Sequence, residues 1–182
     1  GALDATFNGT GSNSVGFAAA AVATGSASLV MPDGRILVAG EMNGGASTGP
    51  YVIWMLNPNG TLDTTFGTGG MALGTGGAGA TKLALQSDGK ILFLTPGSIR
   101  LGRLNANGSL DASFGSSGQL QLTGGLSFVT ALAVQTDGKI LVAGSTPVSG
   151  TSQFAINRYL SNGSLDTTFD GDGIVNVDIG AG

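Results

Sequence analysis

The chain has 182 residues, 41% of them hydrophobic and only 10% charged, with a formal net charge of −4. That is enough chain for a sizeable core, and without a basic excess it offers no surface for nucleic acid or an anionic membrane. It contains no Cys and no His, which excludes disulfides, thiolate nucleophiles and imidazole acid–base chemistry.

In chain order, the sequence opens Gly1-Ala2, which reads as the product of processing or excision from something longer. A first phrase, Leu-Asp-x-x-Phe, follows at residues 3–7 and returns at 62–66, 110–114 and 165–169. Residues 18–21 form the one helix-like run, closely bracketed by Gly16 and Gly25. The longest apolar stretch, 17–23, falls far short of the roughly 20 residues that cross a bilayer, so no membrane insertion is expected. A second phrase, Asp-Gly-(Lys/Arg)-Ile-Leu, occupies 33–37, 88–92 and 137–141 and alternates strictly with the first.

Short alternating segments at 71–73, 119–122 and 174–178 follow Gly-rich turns and read as strands. Residues 131–135 form a further strand. Asp137-Gly138 turns the chain into another at 139–143, and 154–159 alternates as the next. Asn-Gly pairs at 59–60, 107–108 and 162–163 then turn it into the following Leu-Asp-x-x-Phe. Asn-Gly and Asp-Gly between alternating runs predict type I′ hairpins. Each unit is therefore expected to be a four-stranded antiparallel meander. Gly, at 34 residues, serves turns rather than disorder, because the apolar residues alternate in order. Unit lengths differ mainly in one connection: long at 41–50, short at 95–98, intermediate at 145–152. Variation confined to one loop places these loops on one face, the usual binding face of a repeat protein.

Four strands in a unit of roughly 50 residues is the pattern of a β-propeller blade. The wording is more specific. Asp-Gly-Lys-Ile-Leu-Val-Ala-Gly at 137–144, with Asn-Arg-Tyr-Leu-Ser-Asn-Gly-Ser-Leu-Asp-Thr-Thr-Phe at 157–169, resembles the delta-60 repeat family. The resemblance covers nearly the whole chain. It implies bacterial β-propeller repeats of large secreted or surface proteins, with no catalytic residues to carry over. Unit one departs from the pattern. Met31-Pro32 precede Asp33, and Met55 stands where units two and three have Arg103 and Arg158, so any Arg–Asp pair made there is missing from unit one.

The fold class is thus all-β, a propeller-type array of three four-stranded antiparallel blades plus one extra C-terminal strand. As a single repeat domain it divides into residues 3–62, 63–110 and 111–165, with the surplus strand in 166–182. Propellers have about four to eight blades, so three do not close a ring. A surplus strand is a template for another chain. It leaves three arrangements open: a six-bladed dimer, a piece of a longer propeller, or a head-to-tail filament.

Most candidate site residues also have a structural reading. Asp4, Asp63, Asp111 and Asp166 recur one per unit, too far apart for a catalytic pair, and suit Asx-turns. Asp170 and Asp172, with Asp178 nearby, form the one acidic cluster. It resembles the start of a calcium loop but lacks that loop's remaining ligands. Residues 74–79 match a dinucleotide fingerprint by letters, but a strand follows at 82–86 where that loop needs a helix. Ser87 and Lys90 match Ser-x-x-Lys on a turn, the wrong context for a nucleophile. Tyr51, Trp54 and Tyr159 could stack on sugar rings or fill the space between blades, and Tyr51 and Trp54, of opposite parity, face different sides. The loop that starts at Glu41 is the best candidate contact surface. The expected protein is a non-enzymatic, extracellular or cell-surface module, structural or adhesive, self-associating through its terminal strands. A carbohydrate-binding propeller is the alternative. No cofactor is expected beyond the calcium candidate, and the expected partners are further copies of the chain or a glycan.

Overall fold

A computed structural model describes residues 1–14, 23–42, 50–74, 79–95, 97, 99–148 and 151–177. The described residues form twelve strands in three antiparallel sheets, each a simple meander. The first sheet holds β1 (Ala23–Val30), β2 (Ile36–Met42), β3 (Tyr51–Leu56) and β4 (Met71–Gly74). The second holds β5 (Lys82–Leu85), β6 (Ile91–Thr95), β7 (Arg100–Leu104) and β8 (Gln119–Gln121). The third holds β9 (Phe128–Val134), β10 (Ile140–Val148), β11 (Thr151–Tyr159) and β12 (Ile174–Val177). The connections of unequal length join the second and third strands of each sheet.

The C-terminal strand forms, and its pairing gives it a definite place. β12 is hydrogen-bonded to β11, with Phe154 opposite Val177 and Asn157 opposite Ile174. It is the outer strand of the third sheet rather than an unpaired remainder. Each short strand after a Leu-Asp-x-x-Phe closes the sheet behind it, so sheet boundaries fall one strand later than the motif-to-motif divisions. At the other end, residues 3–14 repeat the closing segment of a blade and lie ahead of β1.

The turns also differ from expectation. Gly34, Gly89 and Gly138 have φ of 82–85°, but the Asp before each does not enter the positive region. Gly34 N–H donates to the Met31 carbonyl and Met31 N–H to the Arg35 carbonyl. The loop is a type I turn followed by a left-handed Gly, a three-residue connection rather than a type I′ hairpin. Pro32 fits its second position because that turn needs φ near −60°. The Asn-Gly turns are built alike, with Gly60, Gly108 and Gly163 left-handed.

Alternation along the strands gives every sheet two apolar faces, called here trailing (toward the preceding blade) and leading (toward the next). In the first sheet Leu37, Ala39, Tyr51, Ile53 and Met55 lead and pack with Ile91, Phe93 and Leu104 of the second. The second sheet's leading residues Leu92, Leu94 and Leu101 pack with Ile140, Val142 and Tyr159 of the third. A third cluster on the trailing face of the first sheet holds Val52, Trp54 and Leu56, with Phe7 packed on it. The repeat is thus a stack in which each neighbour supplies half of a core, as nearest-neighbour repeat architectures do.

One contact recurs at each junction. Phe66 lies over Gly108 and Phe114 over Gly163, so that an added Cβ would meet the ring at 3.0 and 2.8 Å respectively. Both rings are fully buried. A Gly108→Ala variant would meet the Phe66 ring and force a side chain into the left-handed region. It should lose about 1–3 kcal/mol, seen as a lower midpoint in urea unfolding with the slope unchanged.

Candidate functional site

Asp4, Asp63, Asp111 and Asp166 each accept the backbone N–H and the hydroxyl of the Thr or Ser two residues on. The hydroxyl bonds measure 2.6–2.7 Å and the N–H bonds 2.9–3.1 Å. These are the Asx-turns the spacing predicts. Asp33, Asp88 and Asp137 accept the N–H two residues on in the same manner.

Three of the Leu-Asp-x-x-Phe carboxylates also carry ion pairs. Arg103 Nε donates to Asp111 at 2.8 Å, and Lys90 Nζ lies 2.9 Å from the same carboxylate. Arg158 and Lys139 hold Asp166 at 2.8 and 3.2 Å. In unit one Met55 is buried in the core and makes no such pair, and Arg35 alone reaches Asp63, at 3.2 Å. Arg at position 35 therefore substitutes for the Lys-plus-Arg arrangement of the other units.

Arg103 does more than pair. Its guanidinium lies 4.4 Å over the Phe114 ring and donates to Gln86 Oε1 at 3.3 Å. It also crosses to the third sheet, donating to the Ser161 carbonyl at 2.5 Å. Arg103 thus fixes its own Leu-Asp-x-x-Phe turn, orients the aromatic knob and ties it to the next blade's Asn-Gly turn.

The Ser113 hydroxyl and the Lys90 ammonium hold the Asp111 carboxyl far below the usual carboxylate range. The Thr168 hydroxyl, then Lys139, do the same for Asp166. Asp63 is lowered chiefly by Thr65, and Asp4 by Thr6.

The aromatic candidates are core residues. Tyr51 is buried, its ring 4.5 Å from Phe93, and burial raises its hydroxyl pKa. Trp54 packs on the opposite side, in the cluster under Phe7, so the expected opposite parity holds. Tyr159 is buried against the second sheet, its hydroxyl accepting from Asn157 Nδ2 at 3.3 Å. None presents a ring face to solvent: Tyr51 and Tyr159 are covered at the junctions with the second sheet, and Trp54 by Phe7 and the side chains of its own sheet. Glu41 is half-buried opposite Tyr51 on β2, and the loop beyond it, 43–49, lies outside the described residues.

Asp170 takes φ 53°, the position held by Gly67, Gly115 and Asn8 in the other copies at 50–58°. Asp172 Oδ1 accepts the Ile174 N–H at 2.8 Å, a turn contact. Asp178 lies outside the described residues. Among those described, no three metal-ligating side chains gather. Residues 75–78 of the Gly-rich fingerprint also lie outside, but strand β5 follows it, as the sequence predicts. Lys90 of the Ser-x-x-Lys pair is engaged by Asp111. A cleft of about 340 Å³ opens beside the first junction, lined by Thr65, Thr68, Asn107, Ser109 and backbone.

What remains open is the leading face of the third sheet. Here Phe128, Phe154 and Val177 are 72%, 60% and 44% exposed, whereas Tyr51 in the place of Phe154 and Leu122 in the place of Val177 are buried. Phe169, the counterpart of Phe66 and Phe114, is only half-buried, with Arg158 stacked 4.2 Å over its ring. Gln135 Oε1, the counterpart of the Gln86 oxygen that receives Arg103, is buried without a hydrogen-bond partner.

Radially repeated four-stranded meanders with a fixed inter-blade lock define a β-propeller-type repeat protein. Residues 32–66, 86–114 and 135–169 match the β-propeller domain of unknown function DUF5122, more than half of the chain, and the protein belongs to that family. No curated protein sequence matches it. No described helix is long and apolar enough to cross a membrane.

Two predictions follow from the carboxylates. Their native pKa values lie below the unfolded value of about 3.9, so the unfolded state binds more protons as pH falls, and stability falls with it. With no His to titrate, the melting temperature should stay level from about pH 8 to 5, decline below about pH 4, and keep declining toward the depressed native values. Thermal melts across pH check this. Separately, Arg103→Met should cost about 1–3 kcal/mol, and adding Lys90→Arg should recover part of it by copying the unit-one solution. A double-mutant cycle in urea reads the coupling.

Proposed function

We propose that the chain is a non-enzymatic structural or adhesive module of a bacterial extracellular or cell-surface protein. It self-associates end to end, into a filament or a six-bladed dimer. One observation carries this reading: the apolar leading face of the third sheet, buried at the other two junctions, lies open here. Contiguous exposed apolar surface marks interaction sites. β12 is already paired in its own sheet, so the association uses a sheet face rather than a donated strand.

The non-enzymatic part is supported by where the carboxylates sit, one per turn and engaged there by hydroxyls, backbone and cations. The extracellular and bacterial part rests on the delta-60 wording of the repeats. The carbohydrate reading has lost its stacking rings to the core, and no other feature favours it.

Light scattering on the purified 182-residue chain, with negative-stain micrographs, tests the proposal. Mass rising with concentration, as rings or fibres, is expected; a monomer at every concentration would sink the self-association reading. Chelator should leave the melting temperature unchanged, since a bound calcium ion would have to stabilise the fold. A drop on chelation would restore Asp170 and Asp172 as ligands.

A further inference from the structure

Residues 3–14 occupy the first sheet as a blade's closing segment occupies the next blade. Phe7 lies over Gly60, where an added Cβ would meet its ring at 2.7 Å, as Phe66 lies over Gly108 and Phe114 over Gly163. Asn8 N–H donates to the Asn59 carbonyl at 2.6 Å, as Gly67 N–H donates to Asn107 at 2.7 Å. The residue after the Phe takes the same left-handed conformation in all four copies. Phe7 and Phe169 are therefore the same knob at opposite ends of the chain, one seated and one not.

We propose that the Asn59–Gly60 turn and trailing face of the first sheet are the acceptor for the third sheet of a second copy. Residues 3–14 hold that acceptor in the isolated chain, so that association exchanges Phe7 for Phe169 of the second copy. The proposal rests on the self-association reading and specifies its surface and its competitor.

Three observations commit the occupant to a second copy. The open face repeats, position for position, the leading faces that bind a following blade: Leu141, Phe154 and Ile156 stand where Leu92 and Leu101, or Leu37, Tyr51 and Ile53, stand elsewhere. Within this chain, the first sheet presents the one trailing face not packed against another described sheet; what packs on it is Phe7. Of the two sheets that carry both the Arg and the Gln, only the third leaves the polar lock incomplete. Arg103 reaches Gln86 and the Ser161 carbonyl of the next blade, whereas Gln135 Oε1 is orphaned. The acceptor equivalent to Ser161 on a docked first sheet is the Pro58 carbonyl. That carbonyl would offer Arg158 the cross-blade acceptor that Ser161 offers Arg103.

The competition is unequal in reach. The tail offers Phe7, the Asn8 contact and Asn13, whose Nδ2 donates to the Gly60 carbonyl at 2.6 Å, and most of its residues are exposed. A third sheet offers Phe169 together with a whole apolar face. The tail has the advantage of being intramolecular, which holds at low concentration and is overcome by mass action at high concentration. The contact is heterologous, so it propagates head to tail.

Sedimentation equilibrium of the full chain and its point variants tests this. Phe169→Ala should weaken association about tenfold or more, and Phe7→Ala should strengthen it by a similar factor, each about 1.4 kcal/mol. Asn13→Ala, which removes a tail contact and no core atom, should strengthen association in smaller measure and guards against misfolding of the Phe7 variant. Phe7→Ala combined with Phe169→Ala should lose the gain; a gain that survives is nonspecific stickiness of the uncovered face and rejects the exchange. Association unchanged by Phe169→Ala, or by both Phe7→Ala and Asn13→Ala, rejects the exchange while leaving self-association through another surface. A monomer for wild type and Phe7→Ala alike rejects both.

Discussion

The structure depends on an aromatic ring laid across a glycine. Each Leu-Asp-x-x-Phe turn aims its Phe at the Asn-Gly turn of the next blade, and there the absence of a side chain makes room for the ring. Everything else at a junction is arranged around that contact. The Asx-turn of the motif Asp fixes the backbone that presents the ring. The Arg or Lys on the preceding strands neutralises that Asp, and in the second blade Arg103 stacks on the ring and bonds across the gap. The desolvation cost of the buried charges is met because each is paired and hydrogen-bonded. Their worth lies in orientation as much as in net stabilisation.

Much of this was legible in the sequence. The alternation of two phrases gave three four-stranded meanders, and the Asp–x–Thr/Ser spacing gave the Asx-turns residue by residue. The Met55 departure marked the missing strand-borne Arg of unit one, but not that Arg35 pairs with Asp63 in its stead. Other features were not legible. Asp-Gly reads as a type I′ signal, yet the three-residue loop is decided by the register at which Val30 meets Ile36, a tertiary quantity. The assignment of the short strand after each Phe to the preceding sheet is likewise a matter of pairing partner, which spacing alone leaves ambiguous. Tyr51, Trp54 and Tyr159 looked available because aromatics in strands can face solvent; a neighbouring sheet makes Tyr51 and Tyr159 core, and the N-terminal Phe7 covers Trp54.

The seating of Phe7 on Gly60 follows the spacing of the repeat. Each Leu-Asp-x-x-Phe phrase precedes the Asn-Gly turn of the next unit, so Phe7 takes Gly60, Phe66 takes Gly108 and Phe114 takes Gly163. Phe169, the fourth of the set, is half-buried under Arg158.

The meander topology has a consequence for how the chain comes apart. All strand pairings are between sequence neighbours, and each blade is coupled to others only through its two faces. Cooperativity in such an array is a property of position: a unit flanked on both sides opens only with its neighbours, and end units open at the cost of a single interface. The second blade, flanked on both sides by complete sheets, is therefore the thermodynamic keystone, although its individual strands are among the shortest. The first and third each share one sheet interface with it, and the third carries the exposed Phe128 and Phe154 on its other face.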